Sequence, residues 1–393
     1  MPPKRPAGLG AASKAKKNKQ EDGNNGGPSQ VQPPAAAAAA AQTQEEDEDE
    51  DEWEDLLELW DKCVESLQIS LIEEIGSEPA SSAPLLRGVL HETSRLGDVY
   101  GSDISGFMTE AEDGKKTQVS LPHFRLILAS AMLELGILIS ASSHLDEAKS
   151  LAAAGEPKTG TPFFSRAYSI TQTIDEGAFS KDSELVAGRA AAEYLKERLE
   201  SVPEDDADDE LKHESSDQLM SLAIESLMKG GLDEKAESAG RSPALLLSVG
   251  SLLAALEEEM LDLSKPSTAV IAFSNALKAT DSTQLKFESL VGRARVLVSR
   301  GSYVIDKMFD EEDDSGKKEV EPYAEDVTKG LREAVSNLED AQNMTDDLEV
   351  GEQEAEELTS LHKEAMIILA NLLPEGKEQE ELFNKAGVEE DDE

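Results

Sequence analysis

From Trp53 to Leu71 the apolar residues fall at steps of three and four: Trp53, Leu56, Leu57, Trp60, Cys63, Val64, Leu67 and Leu71. That spacing puts them on one face of an α-helix, a stripe that is buried only by packing against other helices. The stripe stops at Gly76-Ser77-Glu78-Pro79, and similar stripes then recur down the chain. Pro84, Pro122, Pro162 and Pro243 each open an apolar-periodic segment, where a fixed φ suits the first helical turn. Ser120, Thr161 and Ser242 stand at or beside the N-cap position of three of them. Gly155, Gly177 and the pair Gly230-Gly231 close segments, as left-handed residues do. About a dozen helices are expected between Glu52 and Ala386 by this periodicity, and no alternating run of β-branched residues competes with them. The expected fold class is all-α.

Short connections force consecutive helices to lie antiparallel, so stacked helical hairpins are expected. Two segments carry a small–x3–large–x2–small pattern: Ala269, Phe273, Ala276 and Ala334, Leu338, Ala341. It is the second-helix pattern of a tetratricopeptide repeat, where small residues let helices approach and the large one fills the groove. Gly-Arg-Ala also recurs, at Gly188-Arg189-Ala190 and Gly292-Arg293-Ala294, early in two long helical segments. The pattern is partial, and an irregular helical bundle is the alternative. The expectation is a degenerate tetratricopeptide-like helical-hairpin solenoid.

Composition narrows what such a scaffold binds. The 393 residues include 83 acids against 37 Lys and Arg, a formal charge of −46. Setting aside the acidic runs 45–55, 204–210, 310–314 and 389–393, and the six cations of residues 1–19, still leaves 57 acids against 31 cations. The acidity therefore belongs to the helices as well as to loops and tails. Such a field repels phosphate backbones and attracts basic proteins, so direct nucleic acid binding by the folded part is disfavoured.

Cys63 is the only cysteine, which rules out an intrachain disulfide or a cysteine-built zinc site and suits a reducing compartment. The longest apolar run, around Leu126 to Ile139, contains Glu134 and is read as too short to span a bilayer. No apolar signal segment follows the basic start. An intracellular, soluble protein without membrane partners is expected.

Candidate chemistry is sparse. The histidines His91, His123, His144, His213 and His362 have no partner at metal-ligand spacing, and most are expected on helix surfaces or in loops. Gly8-Leu9-Gly10 lacks the strand, the helix and the third glycine of a phosphate loop. No serine or cysteine sits in a nucleophile elbow. The expectation is a non-enzyme with no catalytic, cofactor or metal residues.

Residues 1–51 are expected to be a disordered arm, basic and then acidic, ahead of a helical domain at 52–386 and an acidic tail at 387–393. The arm opens with Lys4, Arg5, Lys14, Lys16, Lys17 and Lys19 and no acid before Glu21. Two basic clusters around an eight-residue spacer have the form of a bipartite nuclear import signal, free to enter the acidic groove of an import receptor. A nuclear location follows from that motif.

The same residues carry a resemblance. Lys4, Arg5, Gly8, Leu9 and Gly10, followed by Lys14, Lys16 and Lys17, resemble the opening of the fungal enhancer of translation termination family. The acidic leader before a Trp-containing first helix, the size and the tetratricopeptide-like helices agree with that family; the seven alanines 35–41 depart from it. The resemblance implies a nuclear, non-catalytic regulator required for correct translation termination and linked to hypoxic gene expression. It implies as partner a prolyl hydroxylase of the Fe(II)/2-oxoglutarate class that acts on a ribosomal protein, so the oxygen chemistry belongs to that partner. Acidic helix faces suit a basic ribosomal protein as a second partner. The alternative from a different class is an acidic tetratricopeptide-like chaperone of histones or ribosomal proteins.

Overall fold

Helix follows helix from Trp53, whose buried indole anchors the first, to Ala386. The computed structural model describes residues 53–388 apart from 68–81, 101–107, 111–115, 119–120, 144–150, 175–176, 178, 201–209, 233–241, 310–313 and 349. The principal helices are α1 (53–67), α2 (Ser82–Tyr100), α3 (Leu121–Ser143), α4 (Thr161–Thr171), α5 (Ser180–Glu200), α6 (Ser216–Leu227), α7 (Pro243–Glu259), α8 (Thr268–Ala279) and α9 (Thr283–Phe309). After α9 come α10 (Asp314–Val320), α11 (Ala324–Gln342), the single turn α12 (Thr345–Leu348), α13 (Glu352–Leu372) and α14 (Lys377–Ala386).

The helices pair as hairpins: α3 with α4, α5 with α6, α7 with α8, α9 with α11, and α13 with α14. Each first helix packs on the next first helix, α3 on α5, α5 on α7, α7 on α9 and α9 on α13. The second helices α2, α4, α8 and α11 lie against the following first helix as well. That connectivity is a solenoid, and the fold class is all-α, as expected.

Phe273 shows why the pattern residues matter. It projects from α8 between Gly250 of α7 and Gly292 of α9, where an added Cβ would come within 2.9 Å and 2.5 Å of its ring. Only glycine lets both neighbouring helices approach so closely. Ala269 and Ala276 on the same face are fully buried, as are Ala334, Leu338 and Ala341 on α11. The relationship recurs without being marked in the repeat pattern: Gly136 of α3 meets Phe164 of α4, Gly188 of α5 meets Leu227, and Gly301 of α9 meets Leu331 of α11. The Gly-Arg-Ala phrases are thus equivalent. Each glycine admits a neighbouring helix, and each arginine pairs across helices, Arg189 with Glu134 and Arg293 with Glu333.

Several local expectations need correction. Connections are short in the second half, with α8 and α9 joined by residues 280–282, but α3 and α4 are separated by residues 144–160. Part of that long connection is stapled back: Arg87 of α2 donates through Nε and Nη2 to Glu156, and through Nη2 to the carbonyl of Leu151. Two three-residue strands, Met108–Glu110 and Lys116–Gln118, form a small antiparallel hairpin where no strand was expected.

Ser215, in a capping box with Gln218, caps α6, and Ser267, which accepts from Val270 N–H, caps α8. Ser242 occupies an N-cap without a side-chain bond, Thr161 is the first residue of α4 rather than its cap, and Ser120 lies outside the described residues. Gly155 and Gly231 have positive φ.

The apolar run of α3 is longer than expected. The helix has 23 residues and, by length and composition, is long enough to cross a bilayer at about 1.5 Å per residue. Here its apolar positions serve the core. Ile127, Ala131, Leu135 and Ile139 join α1 and α2 in one cluster, while Ala129 and Leu133 join α4, α5 and α6 in the next. A helix covered on two sides is apolar on two sides.

Candidate partner-binding grooves

The first helices of successive hairpins leave two grooves between them. One, of about 270 Å³, is lined by α1, α3, α5 and the start of α7. Its floor is apolar, with Trp60 and Val64 from α1, Ile127 from α3, Leu185 from α5 and Leu245 from α7. The stripe that begins the sequence therefore both closes the core, through Trp53, Leu56 and Cys63, and lines the groove. Cys63 itself is sealed, and burial pushes its thiol up to about 11.

Charge in this groove is largely committed. Arg189 Nη1 donates to Glu134 Oε1 over 2.5 Å, with the side chains 10% and 19% exposed. One turn on from Arg189, Glu193 has a raised pKa. Burial raises it to about 7, against the opposing pull of Lys196 and Arg189, with Glu134 and Glu197 adding to the rise. A further turn on, Glu197 accepts from Gly160 N–H and the Thr161 hydroxyl, supplying the cap that α4 lacks from its own residues.

His123, at the rim, stacks on Phe179 at 4.8 Å and meets Trp53 edge-on at 5.7 Å. Burial lowers its pKa, partly offset by Asp182 and Asp61. This histidine is half-buried, as is His362, whose Nδ1 lies 3.0 Å from Gln342 Oε1; both depart from the surface placement expected of most of the histidines. His91 and His213 are exposed, and His144 lies outside the described residues.

The second groove, of about 520 Å³, runs between α7, α9 and α13. Arg295, Arg300, Glu258 and Glu364 are its charged lining residues besides Glu257. Glu257 is half-buried in the wall and accepts from Ser267 Oγ, Thr268 N–H and Ala269 N–H, fixing the start of α8. Burial still raises its pKa. Arg300 donates to the carbonyl of Lys265, and burial lowers its pKa.

Among the described residues no group of three or more His, Cys, Asp and Glu is placed to hold a metal ion. The cationic residues Lys4, Arg5, Lys14, Lys16, Lys17 and Lys19 lie outside the described residues, as do most of the acidic runs. None of the groove residues was singled out as a binding residue in the sequence, because a groove leucine and a core leucine share one periodicity. The glycines set within apolar helical stretches, Gly136, Gly188, Gly250 and Gly301, instead mark the close approaches within the hairpins.

The stack and its open grooves define the chain as an α-helical hairpin solenoid. It is similar over most of its length to solved structures of the S. pombe nuclear import adaptor Nro1. One is 15% identical and covers 86% of this chain and 92% of that one, at a TM-score of 0.57. Another, described as the hypoxic regulator of sterol synthesis Nro1, a nuclear import adaptor, is 16% identical and covers 89% and 91%, at a TM-score of 0.58. At these identities the likeness establishes the fold. No protein-family model matches the chain, and no curated protein matches its sequence.

Proposed function

We propose that this chain is a non-catalytic adaptor of the nucleus, which holds a protein partner on its grooved face and presents the basic segment Lys4 to Lys19 to an import receptor. The partner is a prolyl hydroxylase of the Fe(II)/2-oxoglutarate class, with a basic ribosomal protein as a second cargo, and the action bears on translation termination and hypoxic gene expression. The identities of these partners come from the resemblance carried by Lys4, Arg5, Gly8, Leu9, Gly10 and the lysines that follow.

The observation that carries the reading is that both grooves are lined by the first helices of successive hairpins, with apolar floors and ionic rims. Apolar anchors in a desolvated floor give affinity, and the rim selects by charge. The fold shared with a nuclear import adaptor adds support.

Affinity purification of the full chain from fungal nuclear extract, washed over a range of salt, tests the reading. Retention of a prolyl hydroxylase and an import receptor through moderate salt is expected, since apolar contacts outlast screening. Recovery of only histones or ribosomal proteins, released by moderate salt, replaces the adaptor with the acidic chaperone.

A further inference from the structure

Two more clefts continue the α7/α9/α13 groove. One, of about 360 Å³, lies between α6, the end of α7 and the loop to α8, and shares Glu257, Leu261 and Arg300 with that groove. The other, of about 660 Å³, lies between α4, the short turn Glu210–His213 and α6, and shares Asp217 and Ser221 with its neighbour. Common walls make the three hollows one track, from Tyr168 on α4 to Leu361 on α13.

The track has a partly open apolar floor and an uneven charge. Met220, Leu222, Ile224 and Met260 along it are all half-buried, and the two thioethers can adapt to different side chains. At the α4/α6 end the lining charges are Glu214, Asp217 and Glu225, with no lysine or arginine among them. Glu225 meets Lys229 at 2.8 Å, but both side chains are more than half exposed, so the pair is well screened. In the middle, Asp262 is paired with Lys265, and Arg300 is turned to backbone carbonyls. The lining acids without a lining lysine or arginine therefore gather at one end, where Arg198 Nη1 also donates to the Glu214 carbonyl.

We propose that this track seats an extended, Lys/Arg-rich segment of a partner protein. Basic side chains of the segment reach Glu214 and Asp217, and apolar ones settle between Met220 and Ile224. The proposal rests on the adaptor reading for the existence of a partner, and adds the site and the chemistry it selects.

A fluorescein-labelled peptide of alternating Lys and Leu, titrated with the purified full chain at physiological ionic strength, tests the site without any cellular partner; alternating Glu and Leu is the counterpart. Fluorescence anisotropy is expected to report binding of the first peptide alone. The triple variant Glu214→Gln, Asp217→Asn, Glu225→Gln is expected to weaken binding about tenfold. Glu339→Gln, Asp340→Asn, Glu381→Gln removes the same charge from exposed positions outside the track, and is expected to change Kd less than about twofold.

Ser221→Arg, at an exposed position shared by two of the clefts, adds bulk and positive charge without touching the core, and is expected to block binding with unchanged circular dichroism. Equal weakening by the two triple variants, binding unaffected by Ser221→Arg, or no binding by the natural chain each overturns the track. Loss of the track with hydroxylase capture intact leaves the adaptor reading standing. Capture failing while the peptide still binds does the reverse.

Discussion

Arg189 on α5 and Glu134 on α3 form an ion pair across two adjacent first helices, at the edge of an apolar groove and largely out of water. Neither charge has bulk solvent to fall back on. Removing one partner leaves the other desolvated, whereas removing both leaves a hole that apolar side chains can fill.

Arg189→Leu is expected to destabilise the domain by about 3–5 kcal/mol, and the double variant Arg189→Leu, Glu134→Leu to recover much of that loss. Urea denaturation of the two variants and the natural chain measures both. Equal destabilisation by single and double variants would assign the effect to packing rather than to the stranded carboxylate.

Glu193 sets a pH dependence whose sign follows from its raised pKa. The folded chain holds this proton up to about 7, while the unfolded chain releases it near the ordinary carboxylate value. Between those values the native state binds more protons, so this group's contribution to stability falls as pH rises. The penalty above pH 7 is about 2 kcal/mol, allowing for the partial exposure of the side chain. Glu193→Gln is expected to match the natural chain at pH 4.5 and to exceed it in urea midpoint at pH 8. A constant difference between the two proteins across that range contradicts the assignment.

Gly292→Ala places a methyl group against the ring of Phe273, so one helix must shift or the ring must leave its rotamer. A cost of about 1–3 kcal/mol is expected from overpacking. Combining it with Phe273→Leu should cost less than the two single changes added together, because the smaller side chain makes room for the methyl. Thermal unfolding of the four proteins gives the coupling directly.

Replacing Lys14, Lys16 and Lys17 with alanine is expected to leave helicity and unfolding unchanged while moving a fluorescent fusion from nucleus to cytoplasm. The substituted residues lie ahead of α1 in the sequence. An unchanged nuclear signal with the variant removes the import role from this segment.

The sequence by itself determined the helices. Backbone hydrogen bonds, proline at the first turn and the recurrence of apolar residues act within four residues or so, and Pro122, Pro162 and Pro243 stand in the first turns of α3, α4 and α7. It also carried the hairpin packing in outline, because Ala269, Phe273 and Ala276 encode a close approach within about two helical turns. Only the tertiary structure decided which faces meet. Glu197 caps a helix that starts 36 residues earlier, and Arg189 finds its carboxylate 55 residues away. Likewise, the track past Asp217 and Arg300 exists because helices distant in sequence share a wall. Burial and charge pairing depend on distance in space, and periodicity along the chain is silent about that.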